Sequence, residues 1–305
     1  MSSFMNQYYY GKAGKGDFTE DQLPTNRLQL FFTTLRLHIG GLMGMNLMYI
    51  VFAFPLIIWT MLHFSLVYAS VGDPSLEAWI QGYMNMYAIG LVPCFALVGL
   101  GMSGIGYVLR NWARDQHTFT ISDFKDSLKT NWKQGLLGGM VTGMALMAAW
   151  YSFVFYGQLA NRSVLFIVPQ AMAIALCAVL LMSSMLFYPM MVTYDLKFRH
   201  VLLNSVLITM RRLPLSILAF ALPIGIPIAV LWLFGGNMYV MAGVTFLYLI
   251  VGFSLTNFIQ IAYANACLEK YLNPLIEGAE TNIGMRDKSE DDLDDEDEEE
   301  EQKDE

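Results

Sequence analysis

The chain reads as an all-α integral membrane protein: six transmembrane helices, both termini cytoplasmic, and amphipathic interfacial helices on the cytoplasmic side. Two observations predict this. Five stretches, 39–72, 78–109, 134–161, 163–194 and 213–268, contain no Asp, Glu, Lys or Arg. The last is long enough for two spans and is broken at Gly235-Gly236-Asn237, which makes six segments able to cross a bilayer core at about 20 apolar residues each. The second observation is a charge asymmetry. Of the 18 Lys and Arg, all but Arg162 fall in the N-terminal segment, the second and fourth loops, and the C-terminal segment. The positive-inside rule assigns that face to the cytosol.

Three regions follow: a cytoplasmic lead with an interfacial helix (1–41), a six-helix membrane domain (42–268), and a cytoplasmic C-terminal segment ending in a disordered acidic tail (269–305). Six spans take up about half of the 305 residues, which leaves no room for a second globular domain of ordinary size. The net charge of −8 hides two opposite parts. Residues 287–305 hold 14 acids and 2 lysines, whereas residues 1–286 hold 12 acids and 16 bases. Such a tail has almost no apolar area to bury and is expected to stay solvated. The polar, aromatic N-terminus shows no cleavable signal, so span 1 is expected to act as an uncleaved anchor.

Each element has its own justification. Pro24-Thr25-Asn26 can start a helix whose Leu28, Phe31, Phe32 and Leu35 share one side, suited to the interface before span 1. Span 1 (about 42–67) carries Pro55 and His63, and span 2 covers about 84–108. In the second loop Ile121, Phe124, Leu128 and Trp132 recur at helical spacing beside Lys125, Lys129 and Lys133, behind capping residues Thr120 to Asp123. Spans 3 and 4 (about 135–156 and 164–194) flank a short turn. The basic segment 195–212 precedes span 5 (about 213–234) and span 6 (about 238–266). Short matches at shifts of 76–78 residues make a duplicated helix–loop–helix unit geometrically possible.

The candidate residues for chemistry are few. Gly135, Gly139 and Gly143 in span 3, with Gly99, Ser103 and Gly106 in span 2, form small-residue rows. Such rows let two backbones pack closely, either statically or as a sliding pair. Pro223 and Pro227 interrupt the ladder of span 5, and the freed carbonyls either coordinate a ligand or are satisfied by neighbours. Asn257 and Gln260 are uncharged polar residues in span 6, suited to interhelical hydrogen bonds or to substrate contact. Phe124, Lys125, Leu128, Lys129, Trp132 and Lys133 form the candidate surface for a partner or for lipid headgroups. Cys94, Cys177 and Cys267 lack metal-ligand spacing and read as packing residues. No HExxH, GxSxG or P-loop pattern is present, so no catalytic, cofactor or metal residues are assigned, and no nucleic-acid partner is expected.

Two segments carry a family resemblance. FYPMMVTYDLKFRHVLLNSVLITMRRLPLSI (187–217) and GIGYVLRNWARDQHTFTISDFKDSLKTNWKQGLLGG (104–139) resemble the repeated signature of the YesL-like bacterial membrane proteins, and FMNQYYYGKAGKG is similar to their lead. The resemblance covers roughly residues 4–275. It implies a multipass protein of the bacterial cytoplasmic (inner) membrane associated with carbohydrate uptake, with permease subunits of a binding-protein-dependent sugar importer as partners beside membrane lipids.

Two functions stay open. One is a non-enzymatic accessory, assembly or regulatory partner of carbohydrate uptake. The other is a small-solute or sugar transporter in its own right. A cavity near Asn257, Gln260 and the Pro223–Pro227 break separates them, because a closed, dry bundle favours the accessory role. The expected topology has a direct check. In a background lacking the three native cysteines, Asp73→Cys in intact cells reacts with an impermeant maleimide, and labelling only after the membrane is breached reverses the orientation.

Overall fold

The structure, a computed structural model, describes residues 23–160, 163–234, 237–276 and 278–286. The lead before residue 23, Arg162, the Gly235-Gly236 pair and the acidic tail from residue 287 lie outside the described residues. Among the described residues there are helices and no strands. Their order is α1 (Arg27–Ser70), α2 (Pro74–Trp112), α3 (Thr120–Ala160), a 3₁₀ turn (Val164–Phe166) and α4 (Ile167–Thr193), α5 (Phe198–Arg211), α6 (Leu213–Phe234), α7 (Met238–Leu247), a π-helical turn (Tyr248–Gly252), α8 (Phe253–Tyr271) and a second 3₁₀ turn (Asn273–Leu275). Six segments are long and apolar enough to cross a membrane: α1, α2, α3, Val164–Thr193, α6 and Met238–Leu275. The fold is that of an all-α multipass membrane protein.

Local chemistry explains the helix starts. Asn26 caps α1 by accepting from the Gln29 amide, and Asp73 caps α2 by accepting from the Ser75 amide, with Pro74 in the first turn. The Ser75 hydroxyl also donates to Asp73, and these bonds hold its carboxyl below the usual range. At α3 the Phe119 amide donates to Asp123, one half of a capping box.

The inner segments differ from the sequence expectation in one respect. Residues 27–41 and 120–134 are not separate helices, because each continues unbroken into the span that follows. At 44 residues α1 is about 66 Å long, roughly twice a hydrocarbon core, so its basic end extends beyond the membrane. Only the 195–212 segment forms its own helix, α5. The chain turns at Arg212 before α6, where Pro214 lacks an N–H and restricts the residue before it.

α2 is the central helix. Its Gly99 and α3's Gly135, Gly139 and Gly143 bring the two backbones into direct contact. A Cβ on Gly139 would overlap the Phe95 carbonyl, and one on Gly143 would lie 2.7 Å from Val92 Cα. Gly106 departs from the expected row: it faces Tyr188 of α4 at an ordinary 3.7 Å. The packed core occupies the base-rich half of the bundle, around Leu42, Ile105, Leu109, Leu186, Met190 and Phe258. The first and last described segments come together there, since the Arg286 amide donates to the Pro24 carbonyl at 3.0 Å.

This packing generates a contrast between two glycines. Gly139→Val is expected to cost about 2–3 kcal/mol through overpacking against backbone, whereas Gly106→Ala stays close to neutral. Thermal unfolding of the purified variants in detergent measures both.

Candidate functional site

The site begins with an irregularity in span 6. A π turn leaves carbonyls without their regular helical donors, and in a bilayer each such group needs another partner. Asn46 of α1, fully buried, supplies it. Its side-chain amide donates to the Tyr248 carbonyl at 3.0 Å and to the Leu249 carbonyl at 2.8 Å, and its oxygen accepts from the Ser254 amide at 2.9 Å. The Ser254 hydroxyl closes the arrangement by donating to the Leu42 carbonyl at 2.7 Å. One asparagine thus locks the π turn to the first helix.

The π turn presents Tyr248, whose ring covers Gly252 and whose hydroxyl donates to the Pro223 carbonyl of α6 at 3.3 Å. That carbonyl lost its regular donor because residue 227, four places on, is proline. α6 stays helical through both prolines, and of the two fates expected for the freed carbonyls that of Pro223 is satisfied by a neighbour. Pro223 serves the site through its carbonyl, and Pro227 through the N–H it lacks.

Between α1, α2, α3, α4, α6, the π turn and α8 lies a cavity of about 380 Å³. Its lining is chiefly aromatic and aliphatic, with Tyr49, Thr142, Ser184, Tyr248, Asn257 and Gln260 adding polar groups. Phe220 and Ile224 of α6 place it about 10–17 Å into that 22-residue helix from the base-rich end. Asn257 donates to the Phe253 carbonyl at 2.9 Å. Gln260 is 9 % exposed, and its side chain forms no hydrogen bond among the described residues. The Gln260 amide is thus open to the cavity with its hydrogen-bonding groups unengaged by the described residues.

The two sequence-predicted sets fare differently. Asn257 and Gln260 come together on the cavity as the spacing suggested. Phe124 does not belong to an outer surface. It is 7 % exposed and packs into the core against Gly104 and Phe52, because the apolar face of that helix turns inward. Leu128 is half-buried against the same core. Trp132, Lys125, Lys129 and Lys133 are exposed, with Lys133 over the Trp132 ring at 5.6 Å. His63 is buried beside Trp59, and its Nδ1 pairs with the Trp59 carbonyl at 3.0 Å.

Among the described residues, no group of three or more His, Cys, Asp or Glu is placed to hold a metal ion. No protein-family model, curated protein or solved structure matches the chain.

Removing the Asn46 lock is expected to be costly. Asn46→Leu leaves two carbonyls and one amide buried without partners and lowers stability by about 2–3 kcal/mol. Tyr248→Phe costs about 1 kcal/mol, and Pro227→Ala, which restores a donor to the Pro223 carbonyl, offsets much of that loss. Thermal unfolding of the single and double variants tests the coupling.

Proposed function

We propose that this chain binds and handles a small amphipathic molecule within the membrane, as a non-enzymatic transporter or carrier in its own right. The observation that carries this reading is the unengaged Gln260 amide on a 380 Å³ cavity. The lining also bears on the ligand class. A free sugar needs a dense set of hydrogen-bonding groups, whereas a chiefly apolar wall with Asn257, Gln260, Thr142 and Ser184 suits an apolar body with one or two polar ends. α6 is the thinnest wall, since Ser216 is its one buried residue among those described.

A second reading has its own support. The exposed Trp132, Lys125, Lys129 and Lys133, and the broad exposed face of α6, suit a partner protein or lipid headgroups. With the YesL-like resemblance, this favours an accessory role beside permease subunits of a sugar importer in the bacterial cytoplasmic membrane, with the base-rich end facing the cytosol.

Mass spectrometry of the purified full-length protein distinguishes the two. A co-purifying small amphipathic molecule is expected, reduced about tenfold or more in Ser184→Trp, which fills the cavity, and in Gln260→Leu. A protein that emerges empty, bound instead to importer permease subunits, replaces the carrier reading with the accessory one.

A further inference from the structure

At the base-rich end, the charges around one carboxylate do not balance. Glu269, near the end of α8, is 6 % exposed. Its Oε2 accepts from Arg27 at 2.7 Å and from the Asn282 amide at 3.1 Å, and its Oε1 lies 3.6 Å from Arg114 Nε. Arg114 is 8 % exposed, and its Nε has no hydrogen-bond partner among the described residues. Arg110 shares a narrow cleft with Arg114 and Glu269. On another side of Glu269 opens a cavity of about 310 Å³, lined by Arg27, Arg212, Lys270, Glu269 and Asn282. Among the described residues, the three clefts around Glu269 bring five bases, Arg27, Arg110, Arg114, Arg212 and Lys270, against one acid, a surplus of four positive charges; the 310 Å³ cavity itself is lined by Arg27, Arg212 and Lys270 against Glu269. Arg114 is the one buried base of these five; Arg27, Arg110 and Arg212 are half-exposed and Lys270 is exposed, so the positive surplus faces space that an anion can enter.

We propose that this 310 Å³ cavity binds a phosphate group at the level of the lipid headgroups. Guanidinium forks match phosphate oxygens, and an ammonium adds a mobile point charge. Depth also favours this ligand. Arg212 immediately precedes α6, whose 22 residues span about 33 Å, one hydrocarbon thickness, so the cavity opens where lipid phosphates reside. Tyr271 holds Arg212 in place: its hydroxyl accepts from Arg212 Nε at 2.8 Å, and its ring lies under both Arg211 and Arg212. Lys270 is exposed and has no partner among the described residues. The site is separate from the amphipathic cavity and does not depend on that reading.

The test uses the full-length chain in a neutral detergent at constant ionic strength, with melting temperature as the readout. The probes are dioctanoyl phosphatidylglycerol, dioctanoylglycerol (the same chains without phosphate) and inorganic phosphate. Phosphatidylglycerol is expected to raise the melting temperature and dioctanoylglycerol to leave it unchanged. In Arg212→Gln/Lys270→Gln the phosphatidylglycerol half-saturation point weakens about tenfold or more. Lys270→Gln alone melts normally without ligand and still binds more weakly, which separates lost binding from lost folding. A comparable response to inorganic phosphate, also lost in the variants, assigns the site to a free phosphate compound and supports the same chemistry. No response of the wild-type protein to either phosphate probe, or equal responses of wild type and variants, overturns the proposal.

Discussion

A bilayer offers its backbone groups no water, and the architecture follows from how that demand is met. Regular helix meets it over most of the chain. Among the places that cannot, beside the prolines inside α1, α2 and α4, are the π turn at Tyr248–Gly252 and the carbonyl opposite Pro227. Asn46 resolves the first and Tyr248 the second, so two side chains tie α1, α6 and α8 together around the points where the ladder fails. The cavity lies beside those repairs. Irregular backbone at membrane depth is tolerated where neighbouring protein satisfies it, and the walls of a binding space meet that condition.

Much of the fold was legible because charge-free stretches have few alternatives in a chain of this composition. The glycine row was legible for the same kind of reason: Gly135, Gly139 and Gly143 recur at helical spacing, and α2 lies against them at backbone distance. Periodicity was less informative about direction. Phe124 and Trp132 belong to one amphipathic pattern, yet Phe124 enters the core and Trp132 stays outside, since spacing defines a face without naming its neighbour. The joining of that segment to span 3 was hidden too, because a change from mixed to apolar composition does not require a break in the helix.

The site was half visible. Asn257 and Gln260 stood out as polar residues in an apolar span, and they do meet on one cavity. The π turn had no signature that sequence reasoning recognised, and without it the role of Asn46 could not be deduced. Glu269 lay at the edge of a charge-free stretch and was passed over. A buried carboxylate announces itself only when its partners are known, and Arg27 is 242 positions away in the chain.

That separation has a consequence for assembly. Arg27 leads α1 and Glu269 sits near the end of α8, so their bond cannot form until the chain has been made through α8. Until then Arg27 and Arg114 wait without their acid. Synthesis through α8 is thereby written into the electrostatics: a chain truncated before residue 269 keeps the cations and never receives the carboxylate that pairs with them.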